Sequence, residues 1–150
     1  MTQNVNLEIE VIKRFVNKAK QDRYIQFVSS SKNRHKFIDD ISHFNFLKWD
    51  KFDEVKGNEQ QIILTTLQKN KVADKSCYVI SENKEIDTKT LETKEAIRET
   101  VGYGMGTILV FGNADIIFYE CETMNIRYIS KFIKQYWGSS RQDETQAYNK

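Results

Sequence analysis

Residues 107–121 constrain this chain more than any other stretch. Two short runs of β-branched and aromatic residues, 107–111 and 116–121, flank Gly112-Asn113-Ala114-Asp115. Residues of those types suit a pleated, packed surface, and a glycine- and asparagine-bearing segment of four turns the chain back on itself. A hairpin is predicted, and an isolated hairpin is not stable in water, so further strands or a helical cover must exist. Residues 76–81 supply one more strand. Residues 126–130 supply another, after a polar turn at 122–125.

The first half has a different period. Leu7, Val11, Phe15 and Ala19 recur every fourth residue, with Ile12 and Val16 widening the stripe. This predicts an amphipathic helix over 6–20, capped by Asn6, with Glu8 and Glu10 at the positive end of its dipole. Residues 22–28 read as a helical turn. Ser31 is expected to cap a third helix, whose apolar face is Phe37, Ile38, Ile41 and Phe44. Further helices are predicted at 58–70, from Ile62, Ile63 and Leu67, and at 91–101, from Leu91, Ala96, Ile97 and Val101. Residues 45–57 are aromatic and irregular, and 82–90 form a polar loop. Ser130 is placed to cap a short terminal helix carrying Phe132, Ile133, Tyr136 and Trp137, stopped at Gly138.

Together these readings predict an α+β domain over residues 1–138. An N-terminal layer of three to four helices packs on a mainly antiparallel sheet of about four strands, ending in a β-meander and a short helix. Residues 139–150 lack apolar periodicity and are expected to form a flexible polar tail. At 150 residues the chain is long enough to build a core without disulfides or metal. No apolar run approaches the roughly 20 residues that cross a bilayer, and the first six residues are polar. A cytoplasmic protein with no membrane association is expected. The two cysteines, Cys77 and Cys121, lie outside any CxxC spacing and read as packed, reduced thiols.

Net charge is only +2, which excludes a histone-like polycation. Its distribution is uneven. Residues 11–38 hold eight basic side chains against the single acid Asp22, whereas residues 39–60 hold six acids against three lysines. The basic region, through Lys13, Lys18, Lys20, Arg23, Arg34 and Lys36, is a candidate surface for nucleic-acid phosphates.

Other constellations suggest chemistry less strongly. Gly102-Tyr103-Gly104-Met105-Gly106 resembles a phosphate loop in composition, but a helix precedes it and a strand follows, the reverse of what a phosphate cradle needs. Gly102 is expected to end the helix, with the other glycines at positions of positive φ or close approach. His35, Asp39 and His43 recur every fourth residue on a face pointing to water, so no metal site is assigned there. Glu82, Glu85 and Asp87 follow one strand, while Glu120 and Glu122 end another. Of these, Glu82, Asp87 and Glu120 are the candidate metal ligands of a hydrolase. Aromatic residues make up 12% of the chain, and Trp49, Phe52 and Trp137 are candidate anchors for a protein partner.

With no assembled catalytic set and no cofactor loop, the chain reads as a non-catalytic binding or regulatory protein of the immunity type. Its expected ligand is another protein. Nucleic-acid binding is the first alternative and metal-assisted hydrolysis the second.

Overall fold

The computed structural model describes residues 2–43, 46–56, 60–69, 75–122 and 126–131. Its centre is one antiparallel sheet of six strands: β1 (Phe52–Lys56), β2 (Ser76–Ser81), β3 (Thr90–Glu92), β4 (Thr107–Phe111), β5 (Ile116–Glu120) and β6 (Ile126–Ser130), in the order β1-β6-β5-β4-β2-β3. Among the described residues five α-helices cover it: α1 (Val5–Phe15), α2 (Lys18–Val28), α3 (Arg34–Asp40), α4 (Gln60–Lys69) and α5 (Thr93–Thr100).

Side-chain alternation along the strands assigns the helices to faces. Tyr78, Ile80, Ile108, Val110, Ile117 and Tyr119 meet Val11, Ile12 and Phe15 of α1, Tyr24 and Val28 of α2, and Phe37 of α3. Cys77, Val79, Leu109, Phe111, Ile116 and Phe118 meet Ile63 and Leu67 of α4, and Ala96 and Ile97 of α5. Helices therefore cover both faces, and β4 and β5 are buried along their whole length, without a water-facing side. Each fully buried aliphatic or aromatic side chain contributes about 1.5–3 kcal/mol relative to exposure. Cys77 and Cys121 are both buried, one on each face.

The predicted hairpin is β4–β5, with Phe111 paired to Ile116. Gly112 and Ala114 both have positive φ in its turn, and Arg14 Nη1 donates to Ala114 O at 3.1 Å, tying the turn to α1.

Several expectations are corrected. Among the described residues the sheet has six strands, not about four. One addition is β1, inside the stretch expected to be irregular. The other is β3, which takes Leu91 from the predicted 91–101 helix and leaves α5 to begin at Thr93. The helix expected over 6–20 is two helices. Val16 is extended and bridges to Leu47, Asn17 N–H donates to Phe46 O, and Lys48 N–H donates to Phe15 O. Apolar spacing persists through this break because Val16 is buried whether helical or extended. Asn4, not Asn6, caps α1, accepting Leu7 N–H at 3.1 Å. The third helix starts at Arg34 with Asn33 in the cap position, not Ser31. The predicted terminal helix, Trp137 and the polar tail lie outside the described residues, as does Phe44. No described helix is long and apolar enough to cross a membrane.

Candidate functional site: a glycine loop held by two glutamates

Strand register places the end of β2, the start of β4 and the end of β5 together at one end of the sheet. The α5–β4 connection, residues 101–106, sits there. Two carboxylates hold its backbone. Gly102 N–H donates to Glu120 Oε2 at 2.8 Å, and Gly106 N–H donates to Glu82 Oε1 at 2.7 Å. Two short hydrogen bonds to carboxyl oxygens thus hold both ends of the loop. Thr107 Oγ1 adds a bond to Met105 O at 3.2 Å and shares a 2.7 Å contact with Ser81 Oγ.

Glycine is required at the two anchored positions for different reasons. Gly102 has φ +88°, the left-handed conformation that ends α5, as its place in the sequence predicts. At Gly106 a Cβ would stand 2.6 Å from Ser42 N and 2.7 Å from Ile41 C, because the end of α3 packs directly on the loop. Tyr119 Oη donates to Ile41 O beneath this contact, and Glu122 N–H donates to Ser42 O at 3.1 Å.

Glu120 is itself anchored. Its Oε1 is 2.7 Å from Arg127 Nε, and neither side chain reaches solvent. Burial pushes the Glu120 carboxyl above the ordinary range, against the opposing pull of Arg127 and of the Gly102 N–H.

The loop holds its two larger side chains outward. Tyr103 is 57% exposed and Met105 41% exposed, on a segment whose flanking residues are packed or hydrogen-bonded. At the same end of the sheet lie Glu82, half-buried, and the exposed pair His43 Nδ1–Glu122 Oε2 at 3.0 Å. The rim is thus acidic with one imidazole.

The sequence-predicted residues fall elsewhere or have other duties. Arg34 leaves the basic surface: it is 11% exposed and forks between two carboxylates. Nη2 lies 2.8 Å from Glu8 Oε2, and Nη1 lies 2.6 Å from Asp87 Oδ2. Glu8 is fully buried and also accepts from Tyr78 Oη at 2.7 Å. Burial alone would lower the Arg34 pKa, but Asp87 and Glu8 more than offset it and hold the guanidinium charged. Lys13, Lys18 and Arg23 are exposed, Lys20 is half-buried, and the exposed Lys36 places its ammonium over the Phe27 ring. Phe52 belongs to the core, 7% exposed and edge-on to Phe15. Trp49 is half-buried against Tyr128, with ring centroids 4.8 Å apart.

The three carboxylates proposed as metal ligands hold separate protein groups: Glu82 the Gly106 N–H, Asp87 both Arg34 and the Ser81 N–H, and Glu120 both Arg127 and the Gly102 N–H. Among the described residues no three His, Cys, Asp or Glu side chains gather closely enough to hold a metal ion. His35 and Asp39 are exposed on or beside α3, and His43 lies beyond its end.

A cleft of about 540 Å³ opens at the start of α1, lined in part by Asn4, Glu10, Lys75, Tyr78 and Asn113. Three of its polar groups serve the fold. Asn4 caps α1, Tyr78 Oη bridges Asn4 N–H and Glu8, and Glu10 pairs with Arg14.

Sequence reasoning found the glycines of the 102–106 loop but not its exposed pair. The available signal was a tyrosine and a methionine alternating with glycines, where neither side chain can join a helical or strand stripe. Compared with protein-family models, with curated proteins and with solved structures, the chain matches none.

Proposed function

We propose that this protein is a non-catalytic recognition module that binds a protein partner through the 102–106 loop. One observation carries the reading: Glu82 and Glu120 fix the two ends of a loop whose Tyr103 and Met105 remain exposed. A side chain presented from a fixed backbone loses little conformational entropy on binding, which favours affinity. Tyrosine and methionine are both enriched at protein interfaces, and a tyrosine can anchor in an apolar pocket while its hydroxyl stays hydrogen-bonded. The acidic rim of Glu82 and Glu122 suits a partner whose contact surface is basic around an apolar depression.

The test is a photo-crosslinking amino acid placed at position 103, with adducts recovered from native cells after nuclease treatment. A discrete protein adduct, absent when Met105→Asp is added, supports the reading. Adducts destroyed by nuclease, or a diffuse set that Met105→Asp does not change, contradict it.

A further inference from the structure

At the opposite end of the sheet the charge is reversed. Register puts the start of β1 and the end of β6 there, with Phe52 paired to Ser130. A 3-10 turn, Trp49–Lys51, leads into β1, and Lys131 follows β6. These segments pack on the C-terminal end of α1. Lys48 Nζ lies 3.3 Å from Lys13 O, and Lys51 Nζ lies 3.3 Å from Arg14 O. Lys131 N–H donates to Lys51 O at 2.8 Å, and its Nζ lies 3.4 Å from Asp50 O. Lys18, at the first turn of α2, is close enough to Lys48 to oppose its charge.

Lys48 and Lys51 thus reach the same end of α1, Lys18 acts on Lys48, and Lys131 joins the adjoining turn, although these residues are scattered between positions 18 and 131. Lys18 and Lys131 are exposed, while Lys48 and Lys51 are half-buried. Burial first, and then the neighbouring Lys51, lowers the pKa of Lys48, with Asp50 opposing and Lys18 adding a smaller push down. Capping the α1 carbonyls accounts for one donor on each of Lys48 and Lys51. It does not account for Lys18, and Lys131 reaches the Asp50 carbonyl instead. Beside the lysines, half-buried Trp49 and Tyr128 pack on each other and on the core, each with part of its surface open to solvent. Asp50, Asp53 and Glu54 are the acids of the same segment.

We propose that Lys18, Lys48, Lys51 and Lys131 form a site for the phosphate backbone of single-stranded nucleic acid. Lysines are mobile point charges suited to successive phosphates, and an adjacent aromatic pair favours unpaired bases over a closed duplex. An acidic protein segment would satisfy the charges but would gain nothing from Trp49 and Tyr128 in stacking.

The experiment titrates a labelled oligothymidylate with the full chain over a range of salt concentrations. Four lysine–phosphate contacts predict a log–log salt slope of about −3. Lys18→Ala with Lys131→Ala, both at exposed positions, should halve that slope and leave the thermal midpoint unchanged. Tyr103→Ala should leave oligonucleotide binding intact, separating this site from the loop at the other end. Absence of binding at low salt, a slope the double variant does not move, equal affinity for duplex of the same sequence, or displacement by polyglutamate at equal charge would each overturn the assignment.

Discussion

Glu120 and Arg127 face each other across β5 and β6 with 2.7 Å between Oε1 and Nε, and both are sealed from solvent. The remaining oxygen of Glu120 holds Gly102, so a buried ion pair sits directly under the exposed loop. Its energetics are testable by pH. Burial raises the Glu120 pKa in the folded state, so folding takes up a proton between the unfolded and folded values. The stability this group contributes is fully present below its unfolded pKa and is lost as pH rises through the folded one. Urea unfolding of the wild type and of Glu120→Gln should therefore give a stability difference that moves against the wild type with rising pH. A difference moving in the wild type's favour would show that Arg127 outweighs burial.

Arg34 bridges α3, α1 and the β2–β3 connection through Glu8 and Asp87. Removing one partner of a buried pair leaves the other charge uncompensated, which costs about 3–5 kcal/mol. Arg34→Met should lose roughly 3 kcal/mol, since Tyr78 Oη and Gln3 Nε2 still donate to Glu8. Adding Glu8→Gln to Arg34→Met should recover part of the loss. Chemical denaturation of the two variants measures both effects, and a double variant weaker than Arg34→Met alone would contradict this account.

The two anchored glycines should differ in tolerance. Gly102→Ala meets open space and carries mainly the left-handed backbone penalty, about 1 kcal/mol. Gly106→Ala drives a methyl into backbone atoms of Ile41 and Ser42, which cannot rotate away, and should cost about 3 kcal/mol. Thermal unfolding ranks them, and the reverse order would mean that the contact between α3 and the loop is loose.

Much of the sheet is legible in the sequence, because β2, β4 and β5 are short, mainly apolar runs. The edge strands are not. β1 has Asp53 and Glu54 exposed at its centre, and β3 has only three residues, so neither shows an apolar run. The break at Val16 is hidden for a related reason: an apolar residue satisfies the helical stripe and the extended bridge to Leu47 alike. The site is legible only in part. Glycine spacing marks the 102–106 loop, but its glutamates come from residues 82 and 120, and only the β2–β4–β5 register brings them together. Arg34 is indistinguishable by type from the solvated lysines around it. Its removal from the basic surface depends on Glu8 and Asp87, which are 26 and 53 residues away in the chain.

The claim on which the functional account depends is that residues 102–106 form a fixed platform despite carrying an exposed tyrosine and methionine. Backbone 15N relaxation of Gly102 to Gly106 in the free protein tests it most directly. Order parameters of about 0.85, equal to those of a rigid backbone, are the predicted result, with a marked fall in Glu82→Gln. Values below about 0.6 in the wild type would make the loop a mobile tip and remove the basis for recognition through Tyr103 and Met105.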